Sequence, residues 1–222
     1  MNLSFSINLS RMNPIQKYFP EISHSKLHQF KELLALYEEW NQKINVVSRK
    51  DMDNLMIRHV LHSLSIARFF GFREGTKVMD VGTGGGFPGI PLAIYFPDVH
   101  FHLIDSIAKK IKVVASISEA LGLSNVSCEQ VRAEKLEGKV DFIVSRAVTK
   151  FPLFVRWTKK HIDTKRQMND MANGIIYLKG GDIETEIFPF KNEIKVFDLS
   201  AVFEEAFFKT KKLLYLPFSQ RA

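Results

Sequence analysis

The run Val78-Met79-Asp80-Val81-Gly82-Thr83-Gly84-Gly85-Gly86-Phe87-Pro88-Gly89-Ile90-Pro91 constrains this chain more than any other. An apolar strand runs into a glycine-dense turn, and the turn runs into a helix that starts at Pro88. Glycine permits positive φ and lets backbone amides approach a ligand closely. Proline suits a first helical position, where its missing N–H costs nothing. The product is a concave, amide-lined corner at a strand's carboxyl end, where α/β sheets hold nucleotide-like ligands.

Asp105 closes the next strand, about 20 residues past the glycines, the separation at which a carboxylate meets ribose hydroxyls. The dinucleotide version of this corner wants a third glycine where the chain has Phe87. A bulky side chain followed by proline leaves little room for a pyrophosphate. A ligand held through ribose, base and an amino-acid tail fits better, and S-adenosylmethionine is such a ligand. The plain structural alternative is a tight turn with Asp105-Ser106 capping the following helix. An NAD-dependent oxidoreductase and a non-catalytic RNA-binding protein of the same fold are the functional alternatives.

Before Lys77 the chain reads as helical. Asn13-Pro14 looks like a cap followed by a first-turn proline. Ser23 or Ser25 caps a longer helix whose inner face carries Leu27, Phe30, Leu33, Leu34, Tyr37 and Ile44. Asp51 or Asp53 is expected to cap another, with Leu55, Val60, Leu61, Leu64 and Ala67 inward and an end near Gly71. From Lys77 strands and helices alternate. Strands are expected at Lys77–Val81, His100–Ile104, Asn125–Gln130, Val140–Ser145, Gly174–Leu178, Ile194–Leu199 and Lys212–Pro217. Helices are expected at Pro88–Phe96, Ala108–Leu121 and Phe151–His161. Such alternation implies a mostly parallel sheet covered on both faces. Two final strands without a full helix between them imply a closing hairpin with an antiparallel last strand. The division is a helical N-terminal extension over residues 1–70 and a ligand-binding sheet domain over 71–222.

A hydrophobic share of 45% suffices for a sizeable core, and 31 Lys plus Arg against 24 Asp plus Glu leaves +7. That excess favours an anionic partner, nucleic acid before membrane. From Ser145 to Gly181, Arg146, Lys150, Arg156, Lys159, Lys160, Lys165, Arg166 and Lys179 face only Asp163 and Asp170, so an RNA-tracking surface is expected beside the pocket. Phe151, Phe154 and Trp157 recur at helical spacing, which favours core packing over base stacking. The seven histidines lack a completing cysteine or carboxylate at familiar ligand spacing, so no metal is expected. The single cysteine, Cys128, reads as a small buried hydrophobe. With no secretory leader at Met1 to Ser10 and no apolar run near the roughly 20 residues that span a bilayer, a cytoplasmic protein is expected.

The corner from Asp80 to Pro91 strongly resembles the motif of the glucose-inhibited division protein B family, bacterial class I methyltransferases that modify N7 of a guanine in 16S ribosomal RNA. Asn45-Val46-Val47-Ser48, Arg58-His59-Val60-Leu61-His62-Ser63-Leu64, Leu103-Ile104-Asp105-Ser106 with Lys109-Lys110, Arg132-Ala133-Glu134, Ser145-Arg146-Ala147 and Leu178-Lys179-Gly180 extend the resemblance over about residues 30 to 182. Two positions depart: His62 stands where many relatives carry an acid, and Thr149 where a small apolar residue is common. The resemblance implies a class I, Rossmann-like fold with a seven-stranded sheet and S-adenosyl-L-methionine as cofactor. It implies cofactor contacts at Gly82, Gly84, Phe87, Asp105, Ala133, Glu134 and Arg146. Arg146, Lys179 and His59 are the implied substrate contacts, and 16S RNA or a small-subunit assembly particle the partner of a monomer. Since N7 of neutral guanine carries a lone pair and no proton, no general base is expected, and Arg146 is the catalytic candidate.

Overall fold

The computed structural model describes residues 13–44, 46–146 and 148–219. The expected loose start, Met1 to Asn13, lies outside these but for Asn13, as do Asn45 and Ala147 of the sequence motifs. Seven strands form one sheet: β1 (Lys77–Val81), β2 (His100–Asp105), β3 (Val126–Gln130), β4 (Phe142–Arg146), β5 (Gly174–Gly180), β6 (Lys195–Asp198) and β7 (Lys211–Pro217). Their spatial order is β3-β2-β1-β4-β5-β7-β6. β1 to β5 pair in parallel, and β7 inserts antiparallel between β5 and β6. The expected sheet and its antiparallel last strand are both present.

The chain runs outward from β1 through β2 to β3, then crosses back to β4 on the other side of β1. The two directions diverge between β1 and β4, and ligands of open α/β sheets bind at such a switch point. One apolar cluster joins the N-terminal helices to one sheet face, with Phe30, Leu33, Tyr37, Leu61 and Leu64 against Val78, Phe87, Leu103 and Val144. A second cluster covers the other face, where Phe151 and Phe154 of the Phe151–Thr158 helix meet Ile143 and Tyr177.

Helix α1 (Pro14–Tyr18) is capped by Asn13, whose Oδ1 accepts from Ile15 N at 2.9 Å, and α2 (His24–Lys43) by Ser23. The next segment differs from expectation. Neither Asp51 nor Asp53 caps a helix; Ser48 precedes the short Arg49–Met52 helix, and the Asp51 carboxylate instead accepts from Ser48 Oγ and Arg58. No single amphipathic helix follows. A π turn at Met56–Leu61, an α turn at His62–Leu64 and a 3₁₀ turn at Ser65–Arg68 succeed one another. The apolar face survives, with Leu55, Val60, Leu61 and Leu64 buried. π turns concentrate at functional sites, and this one carries Arg58 and His59.

Candidate functional site

The glycine corner is built on backbone bonds before any ligand is considered. Gly82 N and Thr83 N both donate to Ile104 O at 2.9 Å, tying the end of β1 to β2. Gly86 N and Phe87 N fold back onto Thr83 O at 2.9 and 3.0 Å. Gly86 has φ +93, and a Cβ there would lie 2.9 Å from the Tyr37 hydroxyl oxygen, so both conformation and space demand glycine. Pro88 takes the cap rather than the first helical position, and the helix runs Gly89–Tyr95.

Asp80, fully buried under the corner, clamps it. Its Oδ2 accepts from Thr83 Oγ1 at 2.7 Å and from Gly89 N at 2.8 Å. Burial pushes this carboxyl up to about 7 against those two bonds. Sequence reasoning quoted Asp80 within the motif and gave it no role. Its signal was there: a carboxylate alternating inward on a core strand needs donors, and the turn just after it supplies them.

A cavity of about 580 Å³ opens at the carboxyl ends of β1, β2 and β4, lined in part by Gly82, Gly84, Phe87, Asp105, Ala133, Glu134 and Arg146. The structure therefore brings together all seven residues expected at the cofactor. Val46, Ile107, Lys110, Val148 and Trp157 join them. Phe151 and Phe154 are buried in the core as expected, and Trp157 packs partly buried against the same cluster while also lining the cleft.

Asp105 is oriented by the backbone on both of its oxygens, and Ile107 rather than Asp105 takes the cap of the helix that follows. Oδ1 accepts from Ile107 N at 2.9 Å, turning the chain toward the Ala108–Ala120 helix, and Oδ2 accepts from Gly84 N at 3.0 Å. A carboxylate has about four acceptor sites, so this oriented group on the cleft floor keeps capacity for a pair of ribose hydroxyls. The cleft volume lies within the ~300–1,000 Å³ of small-molecule sites. The buried Phe87 ring stacks on Tyr37 with centroids 4.8 Å apart, which leaves it no freedom to clear space for a pyrophosphate. Ribose capacity without phosphate room fits S-adenosylmethionine.

Phe87 also connects the corner to the rest of the site. His59 meets its ring edge-on at 5.0 Å, and the Arg146 guanidinium lies 5.3 Å from its centroid. Arg146 donates to Arg58 O at 3.1 Å and lies 2.9 Å from His59 Nδ1. Burial and the adjacent Arg146 charge push His59 down to about 3, so its ring is neutral and can accept from the guanidinium. Tyr37, expected only as a helix-face residue, donates its hydroxyl to Gly85 O and so ties α2 to the glycine turn.

The Lys179 ammonium is bound to Glu186 at 2.5 and 2.6 Å, so its charge is already matched in the chain by itself. The basic segment does not form one patch beside the pocket. Arg166 O accepts from Asn173 Nδ2 at 2.6 Å, and Asn173 immediately precedes β5, so Lys165 and Arg166 lie at the sheet end opposite the cleft. The return from the Phe151–Thr158 helix to the start of β5 carries them there. Cys128 is half-buried on β3 rather than sealed. Among the described residues no group of three or more His, Cys, Asp or Glu is placed to hold a metal.

A family model described as rRNA small subunit methyltransferase G (GidB) matches residues 24–213. The ribosomal RNA small subunit methyltransferase G of Christiangramia forsetii is 55% identical over 203 residues, covering 91% of this chain and 95% of that protein. That of Flavobacterium johnsoniae is 55% identical over 206 residues, covering 93% and 98%. Among solved structures, a SAM-dependent methyltransferase from Aquifex aeolicus matches the fold with a TM-score of 0.52 at 18% identity, over 69% of this chain and 88% of that one. With the family model spanning nearly the whole chain and relatives identical at over half of their positions, the chain belongs to the GidB family of rRNA small subunit methyltransferase G.

Proposed function

We propose that the chain moves a methyl group from S-adenosylmethionine to N7 of a guanine in 16S ribosomal RNA, with the cleft at β1, β2 and β4 as the cofactor site and Arg146 at its acceptor side. The observation that carries this reading is the joint placement of the amide corner, Asp105 and Arg146 around one cavity. Family membership sets aside the oxidoreductase and the non-catalytic alternatives.

Asp105 takes the ribose, Ala133 and Glu134 flank the adenine, and the backbone of Gly82, Gly84 and Phe87 receives the remainder. When bound, the cofactor supplies an electrophilic methyl on a sulfonium. Guanine N7 offers its lone pair directly, so the chain has no proton to remove and its contribution is alignment, an effect worth up to about 7–11 kcal/mol. Arg146 is held by Arg58 O and His59, and a guanidinium has five N–H groups. Those left over hold the O6 edge of the base and leave N7 free.

Small-subunit RNA from cells lacking this protein, incubated with the purified chain and S-adenosylmethionine, tests the reading. Mass mapping is expected to show one new methylguanosine, and its absence from naked RNA, precursor particles and subunits alike would overturn it. On the same reading the chain works as a monomer in the cytoplasm, which sedimentation and fractionation test. No described helix is long and apolar enough to cross a membrane.

A further inference from the structure

We propose that a second cavity, on the far side of Arg146 from the cofactor cleft, seats a phosphodiester of the RNA substrate, with Lys211 as its chief anion-binding residue. This rests on the methyltransferase reading above. The cavity measures about 260 Å³ and is bounded in part by Arg58, His59, His62, Arg146, Lys179 and Lys211. Of these only Arg146 also lines the cleft. The volume is below the ~300–1,000 Å³ of pockets that enclose whole small molecules, and it suits one charged group of a larger polymer.

Charge accounting selects the ligand class. Arg58 is matched by Asp51 at 2.8 Å and Lys179 by Glu186 at 2.5 Å. Arg146 and Lys211 have no carboxylate within salt-bridge distance among the described residues. Arg146 is held by neutral groups only, and the Lys211 ammonium lies 4.7 Å from the Phe207 ring centroid. Two unmatched cations facing one cavity favour an anion. RNA carries one per nucleotide, and Arg146 joins this cavity to the reacting end of the cleft. His62 lines the same wall, edge-on to Phe207 at 5.3 Å, and its buried Nε2 has no partner among the described residues. Asp51 is the one carboxylate among the described residues lining this cavity, and it is already matched to Arg58.

The position of Lys211 is built in twice. Because β7 runs antiparallel, its first residue reaches the same end of the sheet as the carboxyl end of β5, opposite Gly180. A Cβ on Gly180 would lie 2.8 Å from Lys211 Nζ and 3.1 Å from its Cδ, so the bare glycine leaves the lane along which the lysine runs.

Binding of a 16S fragment to the full chain, measured against salt, tests the proposal without relying on turnover. Lys211→Gln is expected to weaken RNA binding about tenfold and to lower the slope of log K against log salt by about one. S-adenosylmethionine affinity should stay unchanged, and Lys211→Arg should restore RNA binding. Gly180→Ala, which displaces the lysine without removing its charge, should weaken RNA binding in the same direction. Unchanged RNA affinity and salt slope in Lys211→Gln would overturn the proposal. So would stabilisation by inorganic phosphate that Lys211→Gln abolishes while RNA affinity holds, since that marks a free-phosphate site. Failure of the unaltered chain to methylate RNA, with these binding effects intact, would instead count against the methyltransferase reading.

Discussion

Arg146 is half-buried and sits among neutral partners. Burial lowers its affinity for its proton, and the nearest opposing charges, Asp80 and Asp51, act at a distance rather than by contact. On the proposed reading, a guanidinium so placed meets the incoming base. Arg146→Ala is expected to lower turnover about 100-fold, the scale of a misplaced reacting pair, while thermal unfolding shifts little. Equal turnover in variant and parent would remove its role. Asp105→Ala should weaken S-adenosylmethionine binding about 10- to 100-fold by calorimetry, the value of one or two hydrogen bonds to a charged acceptor. Asp80 makes a pH-dependent statement. Folded, its carboxyl titrates at about 7; unfolded, it returns to about 3.9. The folded chain holds that proton more firmly, so its contribution to stability is complete below about pH 4 and lost as pH rises through 7. Asp80→Asn removes this component. Unfolding free energies from urea titrations at pH 5 and pH 8 should therefore move in the variant's favour at the higher pH, by on the order of a few kcal/mol.

At the scale of elements, α2 holds the cofactor corner in place. Its inner face packs on the sheet through Phe30 and Leu33, and its Tyr37 reaches Gly85 O and stacks on Phe87. Tyr37→Phe keeps the stack and orphans the carbonyl. It should cost about 1–3 kcal/mol of stability and weaken cofactor binding several-fold, with RNA affinity unchanged. Loss of stability without any change in cofactor affinity would make Tyr37 a packing residue only. The helical spacing that put Tyr37 on the inner face was legible in the sequence. The hydroxyl's partner was not, because Gly85 lies 48 residues away. Lys179 illustrates a different limit: its partner Glu186 is only 7 residues away, but a turn out of β5 decides that the two side chains meet.

At the scale of the molecule, β6 and β7 close an edge that β5 would otherwise present. Ile175, Tyr177 and Leu178 of β5 are fully buried, and β7 pairs with β5 along its whole length. Truncation after Asp182 should expose that apolar edge and yield insoluble protein; a soluble, folded product would show the hairpin to be dispensable. The same hairpin delivers Phe207 and Lys211 to the second cavity.

Local chemistry made the strand order of residue types, the glycine corner, Asp105 and the resulting class of cofactor readable from the chain alone, because turn glycines, strand alternation and a carboxylate at fixed spacing act over short separations. Tertiary structure decided the rest. It matched Lys179 with Glu186, left Arg146 and Lys211 without a carboxylate among the described residues, carried Lys165 and Arg166 to the far end of the sheet, and set Tyr37 against Gly85. Charge balance and hydrogen-bond partnership depend on which distant groups the folded backbone brings within about 3–4 Å, and no local pattern encodes that.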